Sequence, residues 1–219
     1  MFRWLRSLGL RDPVETVADR LDQLDIASLP WTGLYEDWRW FSIRPEDVRR
    51  LAAMRPRKRS RRGLCVAAMN GSGYVRQAAV RALGHHRHAE AVAFTLWALR
   101  DWVPQVRDEA KQSLSLLMTP ELAVAFVMQH RLLARLARAQ RSDLRGTLDR
   151  IDQYLRGPQC APAVEGVLIS EDPMVRLYAY RLSADRLRDD VALQARAAAD
   201  PSPKIRRWFV DRVAEFDAQ

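Results

Sequence analysis

The chain has 219 residues, and 48% of them are hydrophobic, which favours a folded protein over a disordered one. Its net charge is +9, but residues 49–62 hold eight basic residues and no acid, so the rest of the chain is nearly neutral. A basic surface throughout is therefore excluded. No apolar run approaches the roughly 18 residues of a membrane span, so we expect no transmembrane segment.

The first 44 residues differ in character from the rest. Arginines interrupt the apolar residues of the start, MFRWLRSLGLRDP, so we expect no secretory signal. The stretch 30–41, PWTGLYEDWRWF, is dense in Trp, Tyr and Phe. These side chains either cover the open end of the domain that follows or anchor a partner. We favour the first interpretation, an N-terminal cap segment over residues 1–44.

A basic segment, RRLAAMRPRKRSRR, follows at residues 49–62. Pro56 and Ser60 within it predict a loop over residues 55–62. Several cations in eight residues release several counterions on contact with phosphate, which makes nucleic acid a candidate partner. The alternatives are an acidic protein, an anionic lipid surface, or a solvated loop without a partner. The basic patch consists of Arg55, Arg57, Lys58, Arg59, Arg61 and Arg62.

A Val-Arg pattern then recurs along the chain. It appears as VRQAAVRAL at 75–83, VRDEAKQSL at 106–114 and VRLYAYRL at 175–182, with weaker copies at 144–151 and 205–213. Recurrence at a fixed period indicates a repeat architecture. The anchoring arginines, 31, 38, 31 and 30 residues apart, are Arg76, Arg107, Arg145, Arg176 and Arg206.

Each copy follows a turn signal such as DWVP at 101–104, in which Asp caps a helix and Pro fits its first turn. Before the turns, apolar spacing predicts helices over 89–100 and 120–138, and less strongly over 159–169 and 187–199. No segment has the pattern of a strand. The predicted unit is therefore helix, short turn, helix.

This pattern of an Asp/Pro turn, Val-Arg, a small residue three positions later and then Leu resembles the HEAT repeats, including the short bacterial HEAT-like form. Ala79, Ala110 and Ala179 fill the small position, whereas Leu148 and Phe209 depart from it. The resemblance implies an all-α fold over residues 45–219, a right-handed α-solenoid of about five helix pairs. It also implies a ladder of bonds between turn acids and Val-Arg arginines that links successive turns. The expected members of that ladder are Asp101 with Arg107, Asp172 with Arg176, and Asp200 with Arg206.

Catalytic and metal-binding chemistry is not favoured. A neighbouring family, the HEAT-like DNA glycosylases, uses aromatic residues and an acid, and Trp97, Asp101 and Trp102 supply those types. They do not align with that family's motif, so we assign no catalytic residue. His85 and His88 are spaced to share a helix face, but nothing nearby completes a four-ligand set. We expect no metal and no cofactor.

Two cysteines, Cys65 and Cys160, have neither disulfide-framework nor metal-ligand spacing. This usage predicts a reducing, cytoplasmic location. At the other end of the chain, Trp208 and Phe209 lie in the last predicted helix, which has no obvious polar cap. That end is predicted to meet a partner or a second copy of the chain.

We therefore expect a non-catalytic scaffold or adaptor that binds a protein partner on the concave face lined by the second helices. The alternative is a nucleic-acid-binding protein that uses residues 49–62, including a HEAT-like DNA glycosylase. A mixed or apolar groove would favour the scaffold, and cations gathered on one face would favour nucleic acid. The candidate partner-binding residues are Trp102, Asp108, Lys111, Arg81, Tyr178, Arg181 and Arg207.

Overall fold

The computed structural model of the chain describes residues 43–53, 58–139 and 144–217, and the regular secondary structure in these ranges is helical, with no strand. The expectation of an all-α protein is confirmed for the described part. The α-helices are α1 (Pro45–Ala53), α2 (Lys58–Ala67), α3 (Gly73–His86), α4 (Ala89–Ala98), α5 (Pro104–Leu117), α6 (Ala123–Met128), α7 (His130–Ala137), α8 (Arg145–Arg156), α9 (Ala161–Gly166), α10 (Pro173–Leu182), α11 (Ala184–Leu187), α12 (Val191–Ala198) and α13 (Pro203–Asp217).

Several predicted helices are shorter or broken. The helix expected at 120–138 is a 3₁₀ turn, Pro120–Leu122, followed by α6 and α7, which meet at Gln129. The one expected at 159–169 is α9 flanked by two 3₁₀ turns, Pro158–Cys160 and Val167–Ile169. Short apolar stretches bury well in either geometry, so apolar spacing alone does not reveal where a helix tightens.

The prediction of a loop over residues 55–62 is wrong for its second half. Helix α2 begins at Lys58, so the backbone of Lys58, Arg59, Arg61 and Arg62 is helical. Lysine and arginine are good helix formers, and the C-terminal half of α2, from Leu64 onward, is buried. Arg55, Arg57 and the cap segment up to residue 42 lie outside the described residues.

Helices pack against neighbours two places away in the chain. Helix α3 contacts α1 and α5, while α4 contacts α2 and α6. Helices α3 and α5 approach closely, since a Cβ added to Gly84 would lie 2.7 Å from Ser113 Cβ and 2.9 Å from its Cα. Only glycine fits this crossing. Ala79 and Ala110 are fully buried in α3 and α5, as their small size allows.

Two ion pairs join successive turns, and they differ from the expected pairing. The Arg76 guanidinium donates to Asp101 at 2.6 and 2.7 Å, and Arg176 donates to Asp200 at 2.9 and 2.8 Å. Each arginine also donates to backbone carbonyls of its own turn, such as Asn70 O at 2.8 Å. Successive turns are therefore linked through an arginine of one turn and a carboxylate of the next.

The structure thereby corrects the arginine partners that were expected for Asp101, Asp172 and Asp200. Arg107 and Arg206 reach only the backbone carbonyls of the turns that hold Asp101 and Asp200, at 2.9 and 2.7 Å. The Asp172 carboxylate accepts from Arg131 at 2.9 Å instead of Arg176. Arg107 and Arg206 thus share with Arg76 and Arg176 the hydrogen bonds to the carbonyls of the turn before their own helix.

Candidate partner-binding surface

Among the grooves in the described part of the chain, three involve helices that carry the Val-Arg copies. The α1–α3 groove, of about 660 Å³, lies between those two helices. The Tyr178 groove, of about 320 Å³, lies between α7, α8 and α10. The Trp208 groove, of about 380 Å³, lies between α8, α10 and α13. Clefts of this size are where side chains or small ligands bind in proteins.

The Tyr178 groove has an apolar floor and a charged rim. Leu148 of α8 and Met174 of α10 contribute to the floor, and Asp149, Asp152 and Arg181 are polar members of the lining. Burial raises the pKa of Tyr178, and the nearby charge of Asp152 raises it further, so its hydroxyl is neutral at physiological pH. The groove thus combines neutral side chains with charges of both signs.

His130, on α7, forms part of the same wall. Its side chain is almost entirely removed from water, at 9% exposure, and its ring lies 6.3 Å from that of Tyr178. Within the described residues neither ring nitrogen makes a hydrogen bond of normal geometry. Burial lowers the pKa of His130, against a smaller opposite effect of Asp172. The imidazole is therefore neutral near pH 7 and adds no charge to the groove.

Arg181 lies at the junction of two grooves, because it lines both the Tyr178 groove and the Trp208 groove. The other arginines of the Trp208 groove are paired: Arg156 with Asp152 at 2.6 Å and Arg212 with Glu215 at 2.6 Å. Within the part of the chain that the structure describes, Arg181 is exposed and has no carboxylate within ion-pair distance. It is a cation with its donors available to a ligand.

The α1–α3 groove also carries both charge signs. Arg81 donates to Glu109 at 2.5 and 3.0 Å, and Glu109 is buried. The hydrogen bond and the charge of Glu109 raise the pKa of Arg81. Glu46 and Arg49 lie on the α1 side of this groove. Arg81 is thus tied to α5, and its contribution to a ligand site is limited to the donors that Glu109 leaves open.

Of the seven predicted partner-binding residues, Tyr178 and Arg181 are the two that line the same one of these grooves. Arg81 lies in a different groove, and Arg207 is exposed on α13 and lines none of the three. Asp108 and Lys111 form an exposed pair at 3.5 Å, also outside the grooves. Their spacing of three residues on one helix explains that pair without any partner.

Trp102 has a structural contact of its own. Its side chain is 71% exposed, yet the guanidinium of Arg76 lies 5.8 Å from the centre of its ring. The indole therefore shields one side of the Arg76–Asp101 ion pair from water. Because both carboxylate oxygens of Asp101 accept from Arg76, and one also accepts from the Val103 amide, Asp101 is fully used by the fold.

Residues of the grooves that sequence reasoning missed include His130, Asp149 and Asp152. Asp149 and Asp152 occur in the weak repeat copy at 144–151 or just after it, where departure from the pattern could have signalled a surface of different character. His130 carries no such signal, because it occupies an ordinary buried position at the start of α7.

Two negative findings apply to the described residues alone. They contain no cluster of three or more His, Cys, Asp or Glu side chains suited to a metal ion. None of the helices described has the length and apolar character required to cross a bilayer. His85 and His88 do not share a helix face as their spacing suggested, since α3 ends at His86 and Arg87 adopts φ 45° before α4 begins.

Comparison of the chain with known proteins gives no assignment. No family model matches it, and no curated protein matches it either. The HEAT resemblance therefore stays a prediction from the residues that carry it.

Proposed function

We propose that the helix pairs form a right-handed HEAT-like α-solenoid of about five pairs. Three features support it: α3 packs on α1 and α5, α4 packs on α2 and α6, and arginine–carboxylate pairs join consecutive turns. Stacking of this kind buries the apolar faces that a single helix pair leaves open. In such an array the helices α3, α5, α8, α10 and α13 line one face.

On this face, we propose, the protein binds a protein partner and acts as a non-catalytic scaffold or adaptor in the cytoplasm. The observation that carries the proposal is the meeting of the Tyr178 and Trp208 grooves at Arg181. An apolar floor, a partly exposed aromatic ring and an arginine with open donors are features enriched at protein-binding hot spots. Both cysteines are free and buried, which fits a reducing compartment.

A second candidate, nucleic-acid binding, has one specific observation in its favour. Arg49, the first residue of the basic segment, lines the α1–α3 groove with Arg81 and His85. Two arginines and a histidine in one groove could contact a phosphate group. Against it, Glu46 lines the same groove and Glu109 forms an ion pair with Arg81. The groove therefore carries charges of both signs and not a cluster of cations, which a phosphate backbone would need.

Photo-crosslinking tests the two candidates directly. A benzoylphenylalanine is placed at the exposed Asp149 of the Tyr178 groove, which leaves Arg181 in place, and, as a matched control, at the exposed Arg196 of α12, in the protein expressed in its own cells. We expect nuclease-resistant protein adducts from position 149 and none of the same mass from position 196. Adducts that disappear with nuclease would favour nucleic acid, and identical patterns at both positions would contradict a specific groove.

Self-association through the C-terminal pair α12–α13 belongs to the same proposal. Val210 of α13 is 64% exposed, and Trp208 and Phe209 are only partly buried beside it. A second copy would cover this apolar face. Light scattering at micromolar concentration should detect a dimer that Val210→Asp weakens, and a strictly monomeric wild-type chain would refute it.

A further inference from the structure

We propose that the two grooves at Arg181 select a peptide segment that carries a carboxylate beside a large apolar side chain. The apolar side chain enters the Tyr178 groove, and the carboxylate binds the Arg181 guanidinium. This inference rests on the proposed function and specifies the chemistry of the partner. It concerns one site, the junction of the Tyr178 and Trp208 grooves.

Among the arginines that line the two grooves, Arg181 is the one left without an acidic partner in the described part of the chain. Arg156 and Arg212 already have acidic partners, so a ligand gains little by approaching them. Arg181 lines the same groove, exposed and without such a partner among the described residues. Guanidinium and carboxylate form paired, charge-assisted hydrogen bonds in a planar geometry. A single Asp, Glu or C-terminal carboxylate is the group that completes this arrangement.

The same pattern disfavours a polyanion. Asp149 and Asp152 line the Tyr178 groove, and Asp211 and Glu215 line the Trp208 groove. A nucleic-acid strand places a phosphate every few ångströms and would meet these carboxylates on both sides of Arg181. A peptide with one acid among apolar or basic residues avoids that repulsion, and a basic residue next to the acid would face Asp149 or Asp211.

The size and polarity of the Tyr178 groove identify the neighbouring side chain. Its volume of about 320 Å³ is enough for one large aliphatic or aromatic side chain together with part of its backbone. Leu148 and Met174 are only partly buried and present apolar surface, and Tyr178 adds a partly exposed ring against which an aromatic group packs. A small or charged side chain would leave this surface wet. The recognised segment therefore combines one acid with one large apolar residue close by.

A peptide-display selection tests the specificity. A random 12-residue library is selected on the full-length protein, on Arg181→Glu and on the control Arg207→Glu, whose arginine is exposed but lines neither groove. Wild type and Arg207→Glu should enrich peptides with an acid near a large apolar residue, whereas Arg181→Glu should not. Circular dichroism melting confirms that each variant folds, since both arginines are exposed.

Binding of the best peptide then gives the decisive measurement. Replacing its acid by the matching amide should weaken binding to wild type roughly tenfold or more, and change binding to Arg181→Glu little. No enriched peptide, or enriched peptides without an acid, overturns the inference; nuclease-resistant crosslinks from position 149 would then still support the proposed function. A labelled single-stranded oligonucleotide that binds wild type and is lost in Arg181→Glu overturns both.

Discussion

The α3–α5 contact and the α8–α10 region differ in the size of the residue at one repeat position. Three residues after the Val-Arg arginine, α3 and α5 carry Ala79 and Ala110, both fully buried, and the helices touch at Gly84 and Ser113. At the same position α8 carries Leu148, which is only partly buried and forms part of the Tyr178 groove. We attribute the groove to this larger side chain, which cannot enter a close helix crossing. A departure from the repeat pattern thus coincides with a candidate binding surface.

The largest effect should come from breaking the ion pair of the closely packed region. Asp101→Asn keeps an oxygen for the Val103 amide but leaves Arg76, 3% exposed, as an uncompensated buried cation. We expect a loss of about 3–5 kcal/mol of unfolding free energy, measured by urea denaturation. The matched control is Asp108→Asn, whose exposed pair with Lys111 should contribute under about 1 kcal/mol. Equal losses in both variants would contradict the structural role of the turn pair.

An effect of intermediate size on stability should distinguish alanine substitutions at two glycines. Gly84→Ala places a Cβ against Ser113 and should cost about 1–3 kcal/mol, part of which Ser113→Gly restores in the double variant. A Cβ added to Gly146, in α8, would meet no neighbouring side chain or helix within 4 Å, so Gly146→Ala should stabilise the protein by roughly 0.5–1 kcal/mol. Thermal melts of the three variants check both signs. Stabilisation by Gly84→Ala would show that α3 and α5 are not in tight contact.

The smallest effect on stability is expected at acidic pH, and it comes from His130 beside the Tyr178 groove. Because the pKa of His130 is lowered in the folded protein, the unfolded chain binds its proton more readily. Stability from the neutral ring is present above the ordinary histidine pKa of about 6.5 and is lost as pH falls through the folded value. Denaturation at pH 7.5 and 5.5 should show a smaller pH-dependent loss in His130→Phe than in wild type. His85→Gln, at an exposed position, should behave like wild type.

The first residues of most helices that carry a Val-Arg copy are predictable from the sequence, because a proline and the turn before it are local signals. Helices α5, α10 and α13 each begin at the proline of their turn. The partners of the turn acids were not predictable in the same way. Arg76 and Asp101 are 25 residues apart, so their pairing depends on how turns stack and not on spacing within one turn.

The candidate site was predicted in part for the same reason. Tyr178 and Arg181 are one helical turn apart, so their shared face follows from the sequence. The walls opposite them come from α7, α8 and α13, and no local pattern states that Asp152 or Trp208 would lie there. Trp102, Asp108 and Lys111 lie outside the register of the repeat pattern, yet their contacts are structural or local to one helix.

The arginines of the turns have a consequence for how the protein unfolds. Arg176 is bonded at once to the carbonyls of its own turn and to Asp200, which precedes α13. If α12 and α13 detached, Arg176 would lose its carboxylate while still held in the preceding turn. Unfolding of α12 and α13 therefore lowers the stability of α10, which stays folded. This increases the cooperativity of unfolding between neighbouring helix pairs. Hydrogen exchange should accordingly show α10 and α13 opening together and not in sequence.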